Sequence, residues 1–165
     1  MLARYGTIGV DPDIAFTAGL MHHIGKTALA NSHRAEYERV MATVYNEARS
    51  FTEVENEVFG FNHAELGAAV VQQWGLPDTL VLTIQHHHSP GKLSELDDHV
   101  ARLCALTTVT SMCLSKLGVG RSKPIDDLDL AAMPAWAFLD LSESDVEPIL
   151  SRCADRIKES QALIG

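Results

Sequence analysis

The sequence predicts an all-α fold, and three observations carry that expectation. Helix-capping residues recur along the chain at intervals that leave room for one helix each. Apolar residues repeat at helical spacing inside most of those intervals. No stretch has the period-two alternation of a half-buried strand, and no repeat or low-complexity linker breaks the series. The chain has 165 residues, 46% apolar and 21% charged, which is enough for one packed core and short for two. Residues 1–165 are therefore read as one helical bundle.

The elements follow in order. Asp11 is an N-cap and Pro12 sits at the first helical position, where a missing N–H costs nothing. The segment Ile14 to His22 is apolar on nearly every face, which predicts a buried central helix stopped by Gly25. A more polar helix is expected over Arg34 to Ala48, with Tyr37, Val40, Met41 and Val44 as its stripe. Thr52 with Glu55 and Asn62 with Glu65 read as capping boxes, closed by Gly60 and Gly75 respectively. Pro77 opens a helix through Leu80, Val81 and Ile84 into His86-His87-His88, and Ser89-Pro90-Gly91 ends it. A long helix is expected from Leu96 to Leu117, then a polar loop over Arg121 to Asp129 and a helical turn from Pro134 to Leu139. Ser142 with Asp145 caps the last helix, which carries Val146, Ile149, Leu150, Cys153 and Ile157.

Composition excludes several function classes. The formal net charge is -9, from 22 acidic and 13 basic residues. Binding to nucleic acid or to an anionic membrane surface needs clustered Lys and Arg, and none occurs here. No apolar run is long enough to span a bilayer, and the start MLARYGTIGV has no signal-peptide pattern. Cys104, Cys113 and Cys153 are odd in number and lie in helical patterns, as buried thiols of a reducing compartment do. A cytoplasmic location is expected.

Eight histidines are the informative residues. Positions four and seven apart share a helix face, which sets His22 below Ala15 and Gly19, a small-residue groove open to another helix. His23 falls with Phe16 and Leu20. His63 shares its face with Gly67, Val70, Val71 and Trp74, and His87 and His88 continue the stripe Leu80, Val81, Ile84. His86 falls nearer the flank, below Leu82 and Thr83. Three helices thus bring imidazoles to apolar faces, and buried imidazoles need partners. A metal ion or an anion would satisfy several at once; core histidines with single hydrogen bonds are the alternative.

These residues carry a resemblance. AFTAGLMHHIGK (Ala15 to Lys26) resembles the motif AFxAGLLHDIGK, and EVFGFNHAELGAAVVQQWGLP (Glu57 to Pro77) resembles ExxxFGxxHAEVGAxLLxxWxLP. IQHHHSP (Ile84 to Pro90) resembles IxxHHxP. Together, in this order, the three motifs resemble the HDOD branch of the HD phosphohydrolase superfamily. The resemblance implies an HD-domain-like helical bundle serving as a bacterial signalling module through protein contacts, with the family's additional N-terminal helical half expected to be missing from residues 1–165.

Catalytic members of the superfamily hold divalent metals with an upstream His, a His-Asp doublet, further histidines and a late Asp. By position His22 matches the doublet's His, His23 replaces its Asp, and Lys26 matches the motif lysine. His63, His87 and His88 match the further histidines. The late Asp falls near Ser111, on the face of Cys104, Thr107 and Leu114, and the upstream His would precede Met1. Loss of those carboxylates removes the ligands that hard ions such as Mg need. A histidine remnant favours Zn, Ni or Fe if any ion is held.

The function expected first is thus a non-catalytic module contacting other signalling proteins. A metal-dependent phosphohydrolase acting on a nucleotide or cyclic dinucleotide is the alternative, and a metal-sensing or storage protein is a third. A homodimer is expected through the Ile14 to Met21 helix, whose apolar faces all need cover. The other way to cover them is for Leu2 to Ile8 to fold back.

Overall fold

The computed structural model describes residues 8–120 and 124–164, and among these every regular element is helical. The elements are α1 (Pro12–Met21), α2 (Ile24–Ser32), α3 (Arg34–Glu47), α4 (Phe51–Phe59) and α5 (His63–Gln73). They continue as α6 (Asp78–His86), α7 (Asp98–Lys116), α8 (Pro134–Phe138) and α9 (Val146–Ile164). Short 3₁₀ segments cover Pro90–Glu95 and Glu143–Asp145.

Most predicted caps form. Asp11 accepts from the amides of Asp13 and Ile14, and Asn62 and Glu65 close a reciprocal box at the start of α5. Ser142 and Asp145 close another on the 3₁₀ segment that runs into α9. The box expected of Thr52 and Glu55 does not form. Ser50 caps α4 instead, accepting from the Glu53 amide at 3.2 Å, and this frees Glu55 to turn inward.

The core is organised around α7, which buries Leu103, Cys104, Ala105, Val109 and Cys113. Helices α6, α1, α8 and α9 pack on it. Trp136 of α8 is 1% exposed in this core and donates its indole N–H to the Ser142 carbonyl at 3.1 Å. Leu29, Tyr37, Val40, Val44 and Val54 form a second core among α2, α3 and α4, while Met41 of the predicted stripe faces outward. All three cysteines are buried and unbridged.

Gly25 departs most usefully from expectation. It does not stop a helix; it lies in the first turn of α2, a helix absent from the sequence reading. A Cβ at Gly25 would stand 2.0 Å from the His63 carbonyl oxygen and 2.9 Å from the Gly67 amide nitrogen. Helices α2 and α5 therefore meet backbone to backbone, which only glycine allows. The close approach expected at Gly19 is not there, since a Cβ at that residue would meet nothing within 4 Å.

Helix α1 is not the buried central helix expected of it. Only Ala18 is buried, whereas Phe16 is 72% and Leu20 is 70% exposed. The helix lies on the outside of α6 and α7, so one face is covered and the opposite face is open. The fold-back of Leu2 to Ile8 lies outside the described residues except for Ile8, which is buried with Val10 in the α7-centred core. The first part of the Arg121 to Asp129 loop, residues 121–123, also lies outside them. Trp74, placed on the face of His63 by its spacing, is 58% exposed because α5 ends at Gln73. No helix among the described residues is long and apolar enough to cross a membrane.

The α2–α5 contact is directly testable. Gly25→Ala forces its methyl into backbone that cannot yield like a side chain, and should cost about 3 kcal/mol or more, the upper end for overpacking. Gly91→Ala, at an open position with ordinary backbone, should be close to neutral. Urea unfolding of both variants measures the difference.

Candidate metal centre

Close packing at Gly25 and Gly67 brings the end of α1 against the start of α5, and the end of α6 completes the site. His22 and His23 sit in the break between α1 and α2, His63 opens α5, and His87 and His88 follow the last residue of α6. Ring centroids of His23 lie 5.1 Å from His63, 5.6 Å from His87 and 6.0 Å from His88. One donor nitrogen from each of His23, His63, His87 and His88 lies within 4.8 Å of the other three.

Hydrogen bonds settle which nitrogens face inward. A carbonyl or carboxylate oxygen only accepts, so a ring nitrogen bonded to one carries the proton. His63 Nδ1 donates to Glu55 Oε2 at 2.6 Å, and the same oxygen accepts from the His63 amide at 2.8 Å. His87 Nδ1 donates to the Ile84 carbonyl at 2.7 Å. Both rings therefore present an Nε2 lone pair to the cluster. His63 Nε2 lies 3.0 Å from His88 Nε2. His87 Nε2 is buried and has no hydrogen-bond partner.

That orphaned nitrogen tests whether an ion fits. An unpaired buried acceptor is costly, and ordinary structures give it a partner. A cation between the imidazoles would supply one. For four nitrogens bound at about 2.0–2.1 Å in a tetrahedron, the separations are about 3.4 Å, inside the spread the rings already have. The donor set is neutral imidazole, which suits Zn, Ni or Fe and not Mg.

His22 lies outside this group of four. Its Nδ1 donates to the Gly19 carbonyl at 2.7 Å, and its Nε2 accepts from Ser111 Oγ at 3.2 Å. The position read as the lost late Asp thus does face the site, through a hydroxyl that holds His22. Lys26 places its ammonium 3.7 Å from the centre of the Phe51 ring, a cation–π contact, and adds positive charge near the histidines.

Two residues were missed from the sequence. Glu55 is wholly buried, and its Oε2 accepts from both the ring Nδ1 and the amide of His63; its other oxygen accepts from Tyr37 Oη at 3.4 Å. Counting four residues back from Phe59 in ExxxFG lands on Glu55, whereas the motif was read from Glu57. Thr108 Oγ1 donates to the His87 carbonyl at 2.6 Å and so ties α7 to the histidine triplet. Mid-helix threonines carry no local mark of such a role.

The family model for the HDOD domain matches residues 1–90, more than half of the chain. The chain belongs to the HDOD family. No curated protein matches it. The fold is similar to a crystal structure named "putative phosphohydrolase" from Shewanella amazonensis SB2B, with a TM-score of 0.67 at 20% identity over 91% of this chain. It is also similar to an HDOD domain protein of unknown function from Geobacter sulfurreducens, with a TM-score of 0.66 at 25% identity over 90% of this chain. The chain spans about half the length of each, 52% and 51%. The HDOD match ends near the histidine triplet, and the structural likeness, over 91% of the chain, reaches beyond it.

Burial pushes every histidine of the group below the ordinary 6.5: His87 to about 2, His88 to about 3, and His23 and His63 downward, with Glu55 opposing the shift at His63. A pKa lower in the fold than in the unfolded chain means that the unfolded chain binds more protons below pH 6.5. Stability is then flat above that point and falls as the pH drops toward the folded values, by about 1.4 kcal/mol per pH unit for each histidine. Metal-free protein should lose about 3 kcal/mol per unit from His87 and His88 together. Urea midpoints that stay level as pH is lowered from neutral would contradict this.

Proposed function

We propose that this HDOD domain is a non-catalytic regulatory module of a bacterial, cytoplasmic signalling pathway, and that His23, His63, His87 and His88 hold one transition-metal ion as a fixed part of its core. The observation that carries this reading is the four-imidazole convergence, with its one buried carboxylate, Glu55, committed to His63 Nδ1. Four protein donors around a Zn-like ion make a closed site, whereas metal-dependent hydrolysis needs an open position for water. Glu55 then acts as carboxylates do behind metal-bound imidazoles: it fixes the tautomer and raises the basicity of the ligand nitrogen.

The test is equilibrium competition for Zn(II) against a chromophoric chelator. One ion should bind per chain, His87→Ala should abolish binding, and Glu55→Gln should weaken it by about 10- to 100-fold. No hydrolysis of a generic phosphodiester is expected with Mg or Mn. A second reading, a metal-dependent phosphohydrolase, is favoured by the name of the Shewanella structure and by a polar cleft beside His88. Turnover that disappears in His63→Ala would establish it in place of the first.

The contacts of such a module need a surface. Phe16 and Leu20, one turn apart on α1, are the most exposed large apolar residues among those described, and we take them as the self-association face. Light scattering across a dilution series should give a dimer mass that falls to the monomer in a Phe16→Ser, Leu20→Ser double variant. A wild-type mass that is monomeric at every concentration would remove the dimer from the proposal.

A further inference from the structure

His86 takes no part in the histidine group, yet it stands two residues from His88 at the end of α6. Both side chains line one cleft of about 270 Å³, together with Asn56, Asn62, Ser89 and Lys92. The cleft is open to solvent and polar, and His88 is the only member of the group that lines it. His63 and His87 are 0% and 1% exposed, so an ion reaches neither of them directly from water.

The hydrogen bonds divide the ligands further. His63 is anchored by Glu55 and His87 by the Ile84 carbonyl, and Thr108 also fastens the His87 backbone. His88 Nδ1 has no hydrogen-bond partner among the described residues; its bond runs from Nε2 to His63. Its ring lies beyond the last residue of α6 and faces both the cleft and the cluster. An anchored ligand holds geometry; His88, at the solvent edge, is tied only through its Nε2 bond to His63 inside the cluster, so that one bond is all it gives up in turning.

From this we infer that the cleft is the port through which the metal ion enters and leaves, with His86 as the first ligand and His88 as the swinging ligand that passes the ion inward. The inference rests on the reading of His23, His63, His87 and His88 as a metal site. The physical need is dehydration. A hydrated divalent ion must exchange water for imidazole one ligand at a time, and a nitrogen on the way replaces a water that has been given up. His86 supplies that nitrogen. Glu65, the carboxylate in the cleft lining, is already bonded to the Asn62 amide at 3.0 Å as part of the cap of α5. No redox change or bond to carbon is involved; ligands exchange and the ion keeps its charge.

A port differs from a ligand in that it changes both rates and leaves the equilibrium alone. The experiment uses the full chain, stripped of metal and loaded with Co(II), whose visible absorption reports the ligand set. Stopped-flow mixing gives the loading rate, and excess EDTA gives the extraction rate. His86→Ala should slow both by about tenfold, with an unchanged spectrum and an affinity within about twofold of wild type. Ser89→Trp, which fills the cleft and removes no nitrogen ligand, should act the same way. His88→Ala should instead lower the affinity and alter the spectrum.

Wild-type rates in both His86→Ala and Ser89→Trp would overturn the port and direct attention to the side of His23. A loss of affinity in His86→Ala that matches the loss in His88→Ala would make His86 an equilibrium ligand, which also overturns it. If wild-type protein takes up no Co(II), the underlying metal site fails, and the port fails with it; slow exchange at a normal spectrum cannot be confused with that result.

Discussion

Helices α2 and α5 touch at Gly25 and Gly67 with less than a side chain's width between them, and the histidine cluster exists because of that contact. The Gly25 amide nitrogen would lie 3.3 Å from a Cβ on Gly67, and a Cβ on Gly25 would strike the His63 carbonyl. Side chains at a normal helix spacing hold axes about 8–10 Å apart. Removing them draws the break between α1 and α2 against the first turn of α5, so His23 meets His63. Helix α6 then packs along α5 through Ala68, Val71, Val81 and Ile84, which sets the height at which His87 and His88 arrive. One pair of missing methyl groups thus fixes the relation of three chain segments.

A second layer of polar bonds turns proximity into chemistry. Glu55 comes from α4, the Ile84 carbonyl from α6 and Thr108 from α7, and each constrains a histidine from outside the cluster. Burial alone would leave five neutral rings with free choice of tautomer. With these bonds, His63 and His87 each have one nitrogen committed outward and one aimed inward, and His22 is turned aside to Ser111. Tyr37 on α3 reaches Glu55, so even the second apolar core has a link to the site.

Much of the fold was legible because helices announce their ends locally. Asp11, Asn62 and Ser142 each cap within three residues of themselves, and a cap needs nothing from the rest of the chain. The convergence of histidines was legible for a related reason: the spacing within α6 and at the start of α5 marks the inward face. Gly25 was misread because glycine serves both helix ends and close approaches, and sequence alone does not distinguish them. Helix α2 was lost with it. Glu55 fits both the glutamate of a capping box after Thr52 and the glutamate of ExxxFG, and only the fold sends it to His63 in place of the cap. The exposure of Phe16 and Leu20 was out of reach, since an all-round apolar helix does not say which of its faces finds a neighbour.

The two tryptophans lie in opposite surroundings and on different elements. Trp136 is sealed beneath α7 with its N–H bonded, while Trp74 stands in water just past the end of α5. An indole in water lets solvent dipoles relax around its excited state and emits at longer wavelength than one held in a rigid apolar shell. The intrinsic emission of this chain is therefore a sum of two bands of different colour, one belonging to the histidine-bearing helices and one to the α7–α9 packing. Without any added label, the ratio of those bands reports whether the two regions loosen together or in succession.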